Sequence, residues 1–161
     1  MPDLRSTDRP DVANVLAPPP FIFFGALSVG FVLQILWPIH LFTQSFAARV
    51  AGGLLIVGGL ALSITVMRHF GRAETPVAPW QETRRLVVSG PYRFGRNPDY
   101  VGQALLVGGL AILFDLPWAL VALVPALLLV RYFVIAREER YLARRFGEEY
   151  RSYCRRVGRW F

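Results

Sequence analysis

The sequence predicts an all-α fold: an integral membrane bundle of about four transmembrane helices, with a cytoplasmic loop and C-terminal amphipathic helices. Two observations carry this. Long apolar stretches are almost free of charge. Only Asp11 is ionised between Arg9 and Arg49, nothing is between Arg49 and Arg68, and only Asp115 interrupts the run from Asp99 to Arg131. A span needs roughly 20 apolar residues to cross about 30 Å of hydrocarbon, with about 17 as the lower limit. The second observation is where the charges lie. All eighteen basic residues are arginines, and every one except Arg49 falls on the same side of a four-span topology. The positive-inside rule then puts both termini and the long loop in the cytoplasm.

The first span is expected over Phe21–Trp37, after a polar tail (residues 1–20) stiffened by Pro18, Pro19 and Pro20. The tail has no signal-peptide pattern. The second span is expected over Ala48–Met67. Ala26 with Gly30, and Gly59 with Ser63, are small residues at helix-packing spacing, which lets backbones approach closely. The glycine pairs Gly52–Gly53 and Gly58–Gly59 read as packing too, because no strand–turn–helix context surrounds them. The third span, Pro98–Phe114, and the fourth, Pro117–Ile135, form a tight hairpin. Asp115 is expected to cap the fourth helix, and Pro117 fits its first turn.

Residues 21–68 therefore form two packing helices, and residues 69–161 a second region. Its loop, His69–Asn97, contains Pro76, Pro79, Trp80 and a Ser89–Gly90–Pro91 turn. It is long enough to be functional and can fold back over the helix ends. From Ala136 the chain is helical by pattern. Leu142, Phe146, Tyr150, Tyr153 and Val157 give one apolar stripe among arginines, which Gly147 should break into two helices. Such helices suit a membrane surface or can pack onto the loop as part of a site, and one face could do each.

The chemistry classes narrow quickly. Cys154 is the single cysteine, so no intramolecular disulfide forms, and nothing beside it suggests a nucleophile–base pair. His40 and His69 fall on opposite sides of the bilayer, and no zinc or Ser/His/Asp constellation exists. The net charge of +7 belongs to arginines that flank apolar spans, which fits anionic lipid rather than nucleic acid. What remains is a polar and aromatic concentration on the cytoplasmic side. Tyr92, Asn97 and Tyr100 offer hydrogen bonds and an aromatic wall, with Asn97 placed to cap the helix begun by Pro98. Glu138 lies just past the fourth span, where a carboxylate needs a partner. Arg131, Arg96 or a cationic ligand could supply it.

The block Leu86-Val-Val-Ser-Gly-Pro-Tyr-Arg-Phe-Gly-Arg-Asn-Pro-Asp-Tyr-Val-Gly102 resembles the first signature of the isoprenylcysteine carboxyl methyltransferase family, L-V-x-x-G-x-Y-x-x-x-R-H-P-x-Y-x-G. The run of Glu138, Glu139, Leu142, Phe146, Gly147, Tyr150, Tyr153 and Val157 resembles that family's C-terminal signature. Phosphatidylethanolamine N-methyltransferases share the broad architecture. The resemblance implies that residues 69–161 are a methyltransferase-like region binding S-adenosyl-L-methionine at the cytoplasmic ends of the last two spans. It also implies a lipophilic or lipidated acceptor entering from the bilayer. It assigns cofactor contacts to Leu86, Val87, Tyr92, Asn97, Tyr100 and Glu138, and an orienting role near the substrate to Arg131, beside Glu138 as the second catalytic candidate. The family's R-H-P is Arg96-Asn97-Pro98 here, and asparagine cannot shuttle protons. A carboxylate acceptor needs no base at neutral pH, whereas an amine must first lose a proton. Two other functions fit the same scaffold: a sterol-type reductase using NADPH, and a non-catalytic lipid-binding membrane protein.

Overall fold

The computed structural model describes residues 18–42, 45–76 and 81–160. The tail arginines Arg5 and Arg9, and Pro79 and Trp80 of the loop, lie outside the described residues. Five helices follow one another: α1 Pro19–Leu36, α2 Phe46–Arg72, α3 Pro98–Leu113, α4 Pro117–Leu129 and α5 Ala136–Arg156. A 3-10 turn, Gly90–Arg93, precedes α3, and a π-helical turn, Val130–Ile135, joins α4 to α5. The protein is a helical membrane bundle. α1, α2 and the continuous helix Pro117–Arg156 are long and apolar enough to cross a membrane, while α3 is apolar but shorter, with 16 residues.

The expected spans are all present, with shifted ends. α2 runs past Met67 to Arg72, because nothing breaks the helix before the left-handed Glu74 (φ 51°). Its start is capped by Ser45 Oγ, which accepts from Ala48 N at 3.0 Å. No glycine or proline falls between Val130 and Phe146. The helix of the fourth span therefore does not stop at Ile135 but continues into α5 through the wider π turn. That turn re-phases the helix. Val130 and Val134 stay in the bundle core with Phe23, Tyr100 and Val107, while Glu138 and Tyr141 turn toward the loop. Arg137–Glu138–Glu139–Arg140, four charges in a row, mark the end of the hydrocarbon-spanning part. Gly147 breaks the helix as expected, with φ 55° and ψ −121°.

The bundle turns apolar side chains outward. α1 buries only Pro19, Phe23, Ala26 and Gly30, one stripe at three- to four-residue spacing. Phe21, Phe24, Phe31 and Ile35 of α1, and Leu54, Val57 and Met67 of α2, are exposed. In water that surface would be untenable; in lipid it is the ordinary outer face. The small-residue stripes sit where backbones meet. Gly30 lies against the Ala119 backbone, Gly52 against Gly109, and Gly59 and Ser63 against Gly102. Gly53 and Gly58 face open space instead, so only one glycine of each pair packs.

Asp115 does not cap α4. The N-cap residue is Leu116, without a side-chain bond, because Asp115 adopts a left-handed conformation (φ 52°) that turns its carboxylate toward the α1–α2 connection. There Oδ1 accepts from Leu41 N and Phe42 N, each at 3.1 Å, and Oδ2 lies 3.0 Å from His40 Nδ1. Trp118 Nε1 donates to Trp37 O at 2.8 Å beside it. This clasp ties the two hairpins together at the end away from the loop. The backbone donors of Phe42 and Leu41, with His40, hold the Asp115 carboxyl below its ordinary value. A depressed carboxyl stabilises the fold above its unfolded value, about 4, and that contribution is lost as pH falls through the folded value. Asp115→Asn should therefore lower the melting temperature in detergent at pH 7, and the gap to wild type should close on acidification. A gap that stays constant down to pH 3 would contradict this assignment.

Candidate functional site

The described residues of the loop, 75–76 and 81–97, fold back over the ends of α2, α3 and α5, and a few polar anchors fix them there. Thr75 is buried, and its Oγ1 accepts from Arg84 N at 2.8 Å. Thr83 N donates to the Tyr141 hydroxyl at 2.9 Å, and Glu82 pairs with Arg145 at 2.7 Å. Further along, Tyr153 Oη donates to Tyr92 O at 2.7 Å, and the Tyr92 ring tilts against Phe70 with centroids 5.6 Å apart. These bonds satisfy backbone groups that a loop pressed onto helices would otherwise leave orphaned.

The result is a cavity of about 120 Å³ between loop, α3 and α5. Six sequence-predicted residues come together in its wall: Leu86, Val87, Tyr92, Asn97, Tyr100 and Glu138. The first two are apolar. Tyr92 and Tyr100 add rings, and Tyr100 Oη donates to Glu138 Oε1 at 2.7 Å. Burial pushes the Glu138 carboxyl up to about 7, with the Asp99 and Glu139 charges adding to the rise and the Tyr100 hydrogen bond opposing it. The Tyr92 hydroxyl is also raised, first by burial and then by Asp99 and Glu138. The cavity thus combines an apolar wall, aromatic faces and a carboxylate poised to ionise fully when a cation arrives.

Two expectations change here, and Arg131 takes a place apart from the cavity. Glu138 pairs with neither Arg96 nor Arg131. Arg96 turns instead to Glu139, at 3.2 Å, and donates to Cys154 Sγ at 2.7 Å. Asn97 holds the N-cap position of α3, but its side chain makes no capping bond; Nδ2 donates to Arg159 O at 2.9 Å. Arg131 is not in the cavity wall. Its guanidinium lies 5.5 Å from the Tyr132 ring centroid, and it lines a separate apolar groove with Val101, Ala104, Leu105, Leu127, Leu128 and Trp160.

Several lining residues were not anticipated as site residues. Glu139 carries two arginines: Arg96, and Arg159, which reaches it through Nε at 3.0 Å and Nη2 at 2.8 Å. It stands in the C-terminal signature run, where it could have been found. Tyr150 and Tyr153 were on the apolar stripe, but as packing residues. Tyr141, 2% exposed, sits off that stripe. Phe70, Thr83, Arg85 and Asp99 also line the cavity, and no pattern in the sequence singles them out.

A family model described as phospholipid methyltransferase matches residues 47–149. Two proteins from Oryza sativa, of the indica and japonica subspecies, each named probable protein-S-isoprenylcysteine O-methyltransferase, are 30% identical over 116 residues. The match covers 70% of this chain, and this chain spans 59% of the length of those relatives. An uncharacterised protein of Haemophilus influenzae is 53% identical over 34 residues, 21% of this chain and 54% of its own. No solved structure matches.

Proposed function

This chain belongs to the phospholipid methyltransferase family, and from that membership we propose that it is a membrane-embedded, S-adenosyl-L-methionine-dependent methyltransferase acting on a lipophilic acceptor. The observation that carries the proposal is the cavity that joins Tyr92, Asn97, Tyr100 and Glu138 to the Leu86–Val87 wall. When bound, S-adenosylmethionine supplies a methyl group on a sulfonium cation. Glu138 and the tyrosine rings suit such a soft cation. Leu86 and Val87 offer apolar surface to the rest of the molecule.

The task of the chain's residues is then to hold and desolvate. Methyl transfer is an in-line displacement: the acceptor forms a bond to the methyl carbon as the carbon–sulfur bond breaks, and the bonding pair stays on sulfur. Positioning and exclusion of water supply much of the rate for such a step. Among the described residues no histidine lines the cavity, and Asn97 stands where the related signature has one. That favours an acceptor that is already a nucleophile, such as a lipid-linked carboxylate. Glu138 is assigned to the cofactor side. Arg131, in its groove on the membrane flank, is assigned to orienting the acceptor. The arginine asymmetry supports a cytoplasmic site and cytoplasmic termini.

Calorimetry on detergent-solubilised protein tests the reading. S-adenosylhomocysteine should bind; if it does not, the proposal falls, and a preference for NADPH would point to a reductase instead. The Glu138 carboxyl adds a pH signature. Its charged form suits the cation, so affinity for S-adenosylmethionine should be highest above pH 7 and fall as pH drops through about 7. Titrations at pH 6, 7 and 8 measure this. S-adenosylhomocysteine, whose sulfur is neutral, should respond less, and equal responses would remove Glu138 from the sulfonium.

A further inference from the structure

We propose that the C-terminal strap, Val157–Trp160, is a positioning element that fixes Asn97 with its amide oxygen turned into the cavity, so that the site takes a ligand presenting an N–H or O–H at that point. The strap leaves α5 in extended conformation at Val157 (φ −126°, ψ 127°). It passes beside the residues that precede α3. Arg96 N donates to Gly158 O at 3.0 Å, and Asn97 Nδ2 donates to Arg159 O at 2.9 Å. A backbone carbonyl can only accept, so the nitrogen of the Asn97 amide must face it, and this decides which way the amide points.

Asn97 is 8% exposed and lines the cavity. With Nδ2 committed to the strap, the oxygen is left for the cavity, and among the described residues no donor is bonded to it. That oxygen is not itself fully buried, so it stays open to a donor from a ligand in the cavity. Histidine at this position could donate or accept, according to tautomer. Asparagine held at one end can only accept. The strap is held independently of Asn97. The Arg159 guanidinium grips Glu139 with two bonds, and Glu139 also faces Arg96 at 3.2 Å. Trp160 packs against the core cluster. Arg159, outside the cavity wall, thus acts on the ligand through Asn97 and is a positioning residue.

The identity of the ligand rests on the function proposed above; the grip of the strap on Asn97 does not. Two measurements on the full chain in detergent separate them. Hydrogen exchange at the Arg96 amide, without ligand, reports strap docking. Arg159→Ala should accelerate it while helicity is retained, with Arg159→Lys intermediate. Unchanged exchange overturns the strap. Calorimetry with S-adenosylhomocysteine reports positioning. Asn97→Leu should weaken binding about tenfold, the equivalent of one hydrogen bond. Arg159→Ala should weaken it by a smaller factor, and the double variant should bind no worse than Asn97→Leu alone. Asn97→His should stay within about threefold of wild type, since one ring nitrogen can donate to the strap while the other accepts. Losses that simply add, or an Asn97→His as weak as Asn97→Leu, overturn the positioning role. If wild type itself does not bind S-adenosylhomocysteine, the proposed function falls, and the exchange data still decide the strap.

Discussion

Glu138→Gln is expected to weaken S-adenosylmethionine binding by about ten- to a hundredfold, the range that loss of one charged hydrogen-bonding partner implies. The substitution is chosen for what it preserves. The glutamine oxygen can still accept from Tyr100 Oη, which sits 2.7 Å from Glu138 Oε1, so the α3–α5 contact survives. What disappears is the negative charge in a pocket that already holds it reluctantly, with its carboxyl pushed up to about 7. The pH dependence of binding should flatten in the same variant. Glu138→Ala should do more harm, because it also strands the Tyr100 hydroxyl, and a stranded buried donor costs about 1–3 kcal/mol. Calorimetry with both variants, alongside melting curves, separates lost charge from lost structure. Full affinity in Glu138→Gln would remove the carboxylate from the binding machinery.

The second large effect concerns the seam between α2 and α3. Gly59→Val should sharply destabilise the protein, whereas Gly58→Val, one residue along, should be nearly silent. A Cβ at position 59 would meet Gly102 O at 2.6 Å and the Leu106 backbone nitrogen at 3.0 Å, while position 58 has nothing within 4 Å. Backbone cannot move aside as a side-chain tip can, so the cost should reach or exceed the usual 1–3 kcal/mol of overpacking. Thermal melts of the two variants in the same detergent decide the matter. Equal melting temperatures would mean that the helices do not approach as closely as the structure has them. The site should suffer with the seam, since α3 carries Asn97 and Tyr100 into the cavity.

The four apolar helices were legible in the sequence because a charge-free stretch of that length has few alternatives. The small-residue stripes were legible for a related reason: only a close backbone approach requires them. Helix ends were less so. Ile135 was read as the end of the fourth span because charges begin two residues later, and the absence of a breaker lets the helix run on through it. Asp115 and Asn97 were read as caps from local spacing. Both side chains instead bond to segments far away in the chain, at residues 40–42 and at Arg159. A capping bond is local and leaves a short-range pattern, whereas a tertiary bond leaves none. Tyr92, Asn97, Tyr100 and Glu138 stood out by their chemistry, whereas Leu86 and Val87 depended on resemblance. The pairing of Glu139 with Arg159 depended on the path of the last residues, which no window of sequence reveals.

The shortness of α3 has a consequence for the surrounding bilayer. Sixteen helical residues extend roughly 24 Å, less than the roughly 30 Å of an average hydrocarbon layer. Neighbouring α2, at 27 residues, faces no such deficit. Hydrophobic mismatch at α3 must be met by local thinning of the lipid or by dipping the polar end of the helix below the headgroups. Either response brings the Asn97–Tyr100 end closer to the depth of the lipid acyl chains. Lipid thickness then becomes a variable that reaches the cavity directly.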